Sequence, residues 1–265
     1  MPQFSAFFIL WAAGLLAGPQ TAMAAECILK PHSIARLGVA SKGIISDIAV
    51  ERGERVRQGQ VLVRLEASHE ENLERLARLK AESAIADELA RKRAAVAASK
   101  ADRLIKLGEK AITSKGDVEV AILEAEAARL EIEQADLNRA IAREEMIGAA
   151  AALERKTVRA PFDGVITQRL HSSGELYNEQ EPILVVARTD PLYAETYLPV
   201  ADLARVVVGA GTLLTLDTGD TIPATISVVD PVLDPATGTF GIRLEVANPD
   251  HTIIAGQRCR VDFDG

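Results

Sequence analysis

The placement of proline constrains this fold more than any other feature of the sequence. No proline lies between Pro31 and Pro161, whereas eight lie from Pro161 to Pro249. Because proline breaks helix interiors, only the central part of the chain is free to form long helices. The segment from about Ser68 to Leu153 is rich in Ala, Leu, Glu, Lys and Arg, the best helix formers. Glycines at 108 and 116 predict a break between two long helices.

The second predicted helix carries a heptad pattern whose seam is mostly alanine. Its d positions are alanine and its a positions are apolar except for one arginine: Ala121, Ala128, Ala135, Ala142 and Ala149 at d, and Val118, Ala125, Ile132, Arg139 and Met146 at a. The first helix offers an uncharged row at Leu76, Ser83, Ala90, Ala97 and Leu104. Alanine in a seam indicates close approach, so the two rows predict an antiparallel hairpin about 55–60 Å long.

A second stripe lies on the face of the second helix opposite this seam. Leu123, Leu130 and Leu137 recur there at seven-residue spacing. One interpretation is that these leucines are the true core of the hairpin. We favour the other, in which they are exposed and pack laterally against the hairpins of neighbouring subunits.

The flanks of the helical segment repeat each other at a constant offset. The matching segments are Gly43-Ile44-Ile45 with Gly164-Val165-Ile166, Gly53-Glu54 with Gly174-Glu175, and Leu62-Val63 with Ile183-Leu184. Each half alternates apolar and polar residues, as half-buried strands do, and turns at a glycine. Two such halves can close one small β-sandwich only if the ends of the inserted helices lie side by side. An antiparallel hairpin meets that condition.

The chain after Pro191 predicts a small antiparallel β-barrel. Five short apolar strands are expected, at Leu192–Leu198, Thr212–Leu216, Ile222–Val229, Thr239–Val246 and Arg258–Phe263. Glycine, aspartate and proline in the connecting segments are typical of turns between such strands.

Composition and missing motifs argue against several classes of function. The net charge of −8 excludes a basic nucleic-acid interface, so no nucleic acid is expected as a partner. The four histidines show no metal-ligand spacing, and GxSxG, nucleotide-loop and HExxH motifs are absent from the sequence. We therefore expect no enzyme activity, no cofactor and no resident metal.

The first 24 residues carry no charge and predict a signal peptide cleaved after Ala24, with a retained anchor as the alternative.

These residues resemble a known family. The half-motif from Val39 to Leu65, a helical insertion and the segment Arg159-Ala160-Pro161-Phe162-Asp163-Gly164 are similar to the split lipoyl domain of periplasmic adaptor proteins. These are also called membrane fusion proteins, of the HlyD and RND-efflux group. The resemblance implies an adaptor between an inner-membrane RND transporter and a TolC-like outer-membrane channel. It also implies a periplasmic location and a self-assembled ring, expected to contain six copies.

The expected architecture is therefore an elongated α+β fold. A split lipoyl-like β-sandwich carries an inserted antiparallel α-helical coiled-coil hairpin, and a small antiparallel β-barrel follows. The expected divisions are a signal peptide at 1–24, the N-terminal strand and first lipoyl half at 25–66, the hairpin at 67–154, the second lipoyl half at 155–190 and the barrel at 191–265. The membrane-proximal domain of larger adaptors is expected to be short or absent.

The apex of the predicted hairpin carries the candidate docking residues. Arg103, Leu107 and Ser114 have spacings of four and seven and resemble the Arg-Leu-Ser tip signature of adaptors that dock a TolC-like channel. Leu107 would be an apolar knob, while Arg103 and Ser114 would be hydrogen-bond donors. The alternative makes Arg103 a solvated charge, Ser114 a helix N-cap and Leu107 an ordinary hairpin contact.

Cys27 and Cys259 are the only cysteines in the chain. Export to an oxidising compartment favours a disulfide between them, and two separate buried thiols are the alternative.

Three other functions remain possible. An adaptor of an ABC-type exporter would share nearly every feature of the sequence. A free-standing coiled-coil scaffold would have no channel partner. A lipoyl or biotinyl carrier would need a modified lysine at the strand corner; Lys156 stands nearby, but we expect it to be a solvated charge at a helix end.

Overall fold

A computed structural model describes residues 24–263 of the chain. The expected signal peptide lies outside these residues except for Ala24, which begins the first strand. The structure divides into two compact units, one formed by residues 34–187 and the other by residues 24–33 together with 188–263. The strands, in chain order, are β1 Ala24–Leu37, β2 Gly43–Ile48, β3 Arg55–Val56, β4 Val61–Leu65, β5 Thr157–Arg159, β6 Gly164–Arg169, β7 Leu176–Tyr177, β8 Leu184–Pro199, β9 Gly211–Leu216, β10 Thr221–Asp234, β11 Thr239–Val246 and β12 Arg258–Asp262.

Three helices form the predicted hairpin: α1 Ser68–Glu82, α2 Ile85–Glu109 and α3 Lys115–Glu154. The buried residues of α3 are Ala121, Ala128 and Ala135, so the alanine seam is confirmed. On α2 the alanines Ala90 and Ala101 are buried. The small side chains let the helix backbones approach closely, as expected for alanine in a helix seam.

The ascending arm of the hairpin differs from the prediction because it is two helices and not one. Ser83 takes an extended backbone conformation between α1 and α2, with ψ of 119°. The inward residues change register at this break: Ala77 and Ala81 are buried, whereas the predicted seam residues Leu76 and Ser83 are exposed. The predicted row is therefore wrong on α1 and at the break itself. A break rotates the following helix about its axis, so one heptad phase cannot describe both α1 and α2.

The two repeated halves merge into one β-sandwich, as predicted. β2 of the first half pairs with β7 of the second, and β3 of the first half pairs with β6 of the second. The glycines Gly53 and Gly174 occupy equivalent turns and have nearly the same positive φ, 88° and 91°. Such angles favour glycine, which explains the repeated glycine in the sequence. A single apolar cluster draws on both halves; it includes Ile45, Leu62, Leu65, Val158, Ile166, Ile183 and Leu184.

The second unit is a closed six-stranded antiparallel barrel with the order β1-β12-β9-β10-β11-β8, and β1 also pairs with β8. A short 3-10 helix, Val200–Arg205, follows β8. The predicted strands after Pro191 are confirmed, but the barrel also needs β1. The N-terminal strand, grouped in the prediction with the first lipoyl half, therefore contributes residues 24–33 to the barrel unit. Cys27 on β1 and Cys259 on β12 are paired in register and joined by a disulfide.

Candidate docking site at the hairpin tip

A tight turn joins the two arms of the hairpin at the tip. The backbone N–H of Ile112 donates to the carbonyl of Leu107 at 3.0 Å, and that of Ala111 donates to the carbonyl of Gly108 at 2.9 Å. These bonds satisfy carbonyl groups left free at the end of α2. Gly108 packs closely against the opposite arm, because a Cβ at this position would lie 3.0 Å from Cγ2 of Val118.

Ser114 is the N-cap of α3. Its Oγ accepts a hydrogen bond from the backbone N–H of Asp117 at 3.1 Å and donates its own proton to Oδ2 of Asp117 at 2.7 Å. The hydroxyl hydrogen bond holds the pKa of Asp117 below its ordinary range. Ser114 is therefore an N-cap residue in this conformation, and its hydroxyl proton is shared with Asp117.

Leu107 and Arg103 lie one turn apart at the end of α2 and so share a face of that helix. The side chain of Leu107 is 38% exposed, and Nε of Arg103 donates to the carbonyl of Ser99 at 3.3 Å. Among residues 24–263 the Arg103 guanidinium has no carboxylate partner. The turn thus gathers the three predicted residues at the end of the hairpin, with an apolar side chain and a cation open to solvent.

Ile112 also belongs to this tip, although the sequence reasoning missed it. It is 68% exposed at the centre of the turn, more than Leu107. The available signal was its position, since a large apolar residue between the end of one helix and the N-cap of the next cannot enter the alanine seam.

A cavity of about 470 Å³ opens on one flank of the tip. Its apolar lining comes from Ile105, Gly108, Val118 and Ile122, and Lys115 and Glu119 stand at its border. The tip therefore offers both a protruding apolar side chain and a recess beside it.

Leu123, Leu130 and Leu137 are exposed by 61%, 55% and 55%. The interpretation that they form the core of the hairpin is wrong for this chain, because the buried positions of α3 are alanines. The leucines leave an apolar stripe on the outside of the hairpin.

The arginine that interrupts the predicted seam has a partner that the sequence did not reveal. Nη1 of Arg139 donates to Oδ2 of Asp87 at 2.8 Å, and Asp87 is only 6% exposed. Asp87 lies in the first turn of α2, directly after the break at Ser83, where the free backbone N–H groups favour a negative charge.

Lys156, expected to be solvated, is not. Its side chain is 14% exposed and its Nζ lies 3.1 Å from Oε1 of Glu70 at the start of α1. The pKa of Glu70 is lowered by hydrogen bonds from its own backbone N–H and from Lys156. This pair connects the first turn of the hairpin to the residue that precedes β5.

Residues 24–263 contain no group of three or more His, Cys, Asp or Glu side chains placed to hold a metal ion. None of the three helices combines the length and the apolar character that a membrane span requires.

The sequence profile of the CzcB-like barrel-sandwich hybrid domain matches residues 33–188, which is more than half of the chain. The cobalt-zinc-cadmium resistance protein CzcB of Cupriavidus metallidurans is 26% identical over 240 residues, covering 88% of this chain. The chain spans only 42% of the length of that relative.

Solved structures share the fold. MacA from Actinobacillus actinomycetemcomitans superimposes with a TM-score of 0.76 at 21% identity, covering 91% of this chain and 78% of MacA. The membrane fusion protein Spr0693 from Streptococcus pneumoniae R6 gives a TM-score of 0.60 at 16% identity, covering 91% and 98%.

Proposed function

The chain belongs to the CzcB-like barrel-sandwich hybrid family of membrane fusion proteins, and from that premise we propose that it is a periplasmic adaptor subunit. It links an inner-membrane efflux transporter, of the RND type, to a TolC-like outer-membrane channel. It performs no catalysis and binds no cofactor. Its mechanism is mechanical: the hairpin tip engages the periplasmic end of the channel, and the barrel contacts the transporter.

The observation that carries this proposal is the chemistry of the tip. Leu107 and Ile112 are large apolar side chains held in solvent by a hydrogen-bonded turn, and the Arg103 guanidinium beside them lacks a carboxylate partner among residues 24–263. Interfaces concentrate their binding energy in such apolar anchors and arginines. Because the backbone hydrogen bonds of the turn and the Ser114 cap hold the backbone in place, little conformational entropy is lost on docking.

The exposed leucine stripe supports the second part of the proposal, a ring of copies. Leu123, Leu130 and Leu137 are more than half exposed, and contiguous apolar surface of this kind marks an interface. We assign it to lateral packing between neighbouring hairpins, in a ring of six as the family resemblance implies. A ring would place several tips around one channel, so that weak individual contacts act together.

Cross-linking at the tip tests the docking role directly. In cells that produce the transporter and channel, Leu107→Cys is labelled with a short cross-linker that carries a maleimide for the thiol and a photoreactive group for the partner. Illumination should capture an outer-membrane protein that mass spectrometry identifies as a TolC-like channel. Arg103→Asp should abolish both this capture and export, because it removes the cation and introduces repulsion from carboxylates at the channel mouth.

The matched control is Arg75→Asp, which reverses an exposed arginine on α1 far from the tip in sequence. It should leave capture and export unchanged, and circular dichroism should show equal helix content in all variants. Unchanged export in the Arg103→Asp variant, or capture that is indifferent to Arg103, would remove the docking claim.

A further inference from the structure

The leucine stripe has a regular electrostatic border. Each leucine of the stripe is preceded one turn earlier by an exposed glutamate: Glu119 before Leu123, Glu126 before Leu130 and Glu133 before Leu137. Residues four apart are neighbours on a helix surface, so an acidic row runs alongside the apolar one. We call this combined surface the acidic leucine face.

The other arm carries a second exposed apolar row. Leu89 and Val96 on α2 are 48% and 69% exposed and have the same seven-residue spacing. Each is followed one turn later by an exposed polar residue, Lys92 after Leu89 and Ser99 after Val96, and Lys106 continues this polar row seven residues after Ser99. We call this the basic face of α2.

The two faces lie on different helices, and neither belongs to the buried seam. Ala90 and Ala101 of α2 and the alanine seam of α3 are buried between the arms, whereas both apolar rows are exposed. A surface that mates with a different surface of the same molecule produces head-to-tail assembly, which forms a ring when the rotation between copies closes.

The two faces are also level with each other along the hairpin. Ion pairs between the arms fix this level: Lys100 with Glu124, Arg93 with Glu131 and Asp87 with Arg139. Interpolation between these pairs places Val96 level with Leu130, and Leu89 level with Leu137, to within about 3 Å at 1.5 Å per residue. Two hairpins that stand side by side and point the same way therefore meet apolar residue to apolar residue without an axial shift.

Two of the three bordering levels then bring a glutamate and a lysine together. Within one copy Lys92 pairs with Glu88 and Glu133 with Arg129, and a contact between copies would compete with these exposed pairs. α2 runs toward the tip and α3 runs away from it. The glutamates precede the leucines of α3, and the lysines follow the apolar row of α2. Both the glutamates and the lysines are therefore displaced toward the tip relative to the apolar residues that they border. Glu133 becomes level with Lys92, Glu126 with Ser99 and Glu119 with Lys106. Opposite charges bordering an apolar seam are the usual determinants of partner and register in helix pairs.

Resting on the proposed ring of adaptors, we propose that the acidic leucine face of one copy packs against the basic face of α2 of the next copy, in register and head to tail. The competing contact, in which two acidic leucine faces meet around a two-fold axis, would bring two glutamate rows against the same apolar seam. Like charges along such a seam select against that dimer. The partner of the stripe is therefore a second copy of this chain, through a different surface.

Paired cysteines test the contact and its register. The variant carrying both Val96→Cys and Leu130→Cys, treated with a short bis-maleimide, should form a ladder of covalent multimers; the maleimide reacts with free thiols and leaves the Cys27–Cys259 disulfide intact. The control carries Val96→Cys with Leu137→Cys, which is displaced by about 10 Å along the axis. It should give a yield about tenfold lower. Equal yields would overturn the register, and covalent dimers from Leu130→Cys alone would overturn the head-to-tail order.

Charge reversal tests the electrostatic border without altering the leucines. In the paired-cysteine background, Glu133→Lys should lower the multimer yield about threefold, and adding Lys92→Glu should restore it, as expected for an exposed ion pair. Failure of the second change to restore the yield would contradict the pairing of these two rows.

Failure of this inference can be distinguished from failure of the proposed function. The Leu107→Cys capture of the channel is read in the same cells. Capture without the 96–130 multimers refutes the face pairing and leaves the adaptor role standing. Multimers without capture refute the docking role and leave the face pairing standing.

Discussion

The β-structured parts and the helical hairpin of this protein handle apolar residues in opposite ways. In the barrel and the sandwich the large side chains point inward; Leu214, Leu244 and Ile166 are completely buried. In the hairpin the buried apolar residues are alanines, and leucines such as Leu130 remain in solvent. The exposed leucines of the hairpin are therefore not used to hold its own arms together.

This difference separates what each part contributes. Stabilisation from burial scales with apolar area, so an alanine seam contributes far less per residue than a leucine or phenylalanine core. The β cores stabilise their own units, whereas the hairpin relies on its length, its helix propensity and ion pairs between the arms. Its remaining apolar surface is available to other molecules.

The largest expected effect comes from the same substitution made in both regions. Leu214→Ala in the barrel core should lower the free energy of unfolding by about 2–5 kcal/mol, because it removes a fully buried side chain and leaves a cavity. Leu130→Ala on the hairpin should change the stability of the isolated subunit by less than about 0.5 kcal/mol. Urea titration measures both. A large loss from Leu130→Ala in a monomeric sample would contradict the comparison.

The next largest effect on stability is expected from removing the disulfide. Replacing Cys27 and Cys259 together by alanine should destabilise the barrel by about 2–4 kcal/mol, since the bond closes a loop with a sequence separation of 232. The helical circular dichroism signal at native conditions should not change, because the bond joins β1 to β12 and touches no helix. Thiol titration of the unfolded, unreduced protein is the accompanying measurement; two free thiols would show that the bond is absent.

The polar pair inside the hairpin should have a smaller effect. Asp87→Ala leaves the guanidinium of Arg139 without its partner in the seam, which should cost about 1–3 kcal/mol. The control is Asp136→Ala, which removes an exposed ion pair with Arg91 and should cost less than about 1 kcal/mol. Thermal unfolding followed by helix content compares the two. Equal losses would mean that burial of Asp87 contributes nothing special.

The smallest effect is expected at the cap of the tip. Ser114→Ala should cost about 1 kcal/mol near neutral pH, the usual value of a lost N-cap. Because the hydroxyl lowers the folded-state pKa of Asp117, its contribution is present above the unfolded pKa and is lost as the pH falls through the folded value. The difference between wild type and Ser114→Ala should therefore shrink in acid, below about pH 4. A difference that grows in acid would contradict this.

Local sequence patterns were sufficient for the repetitive features. The alanine heptads gave the seam of α3, and the repeated glycines at 53 and 174 marked equivalent turns of the sandwich. Both depend on chemistry within a few residues: small side chains allow close packing, and glycine tolerates positive φ.

The features that were missed depend on residues far apart in the chain. The break at Ser83 contains neither glycine nor proline and coincides with the buried pair of Asp87 with Arg139 on the opposite arm. Lys156 has the sequence context of a helix-end charge, and only the fold brings Glu70 to it. The same holds for β1, whose barrel partner β12 follows at the far end of the described chain.

That barrel closure has a consequence for the order of folding. β1 is the first described strand, but its neighbour β12 lies more than two hundred residues later, at a cysteine separation of 232. A chain that is synthesised or threaded from its amino end must hold β1 unpaired on that side until nearly everything else has emerged, and such distant pairing is slow. The bond between Cys27 and Cys259 can form only after β12 has been delivered. A polypeptide truncated before β12 lacks the second thiol and leaves the barrel open to quality-control proteases.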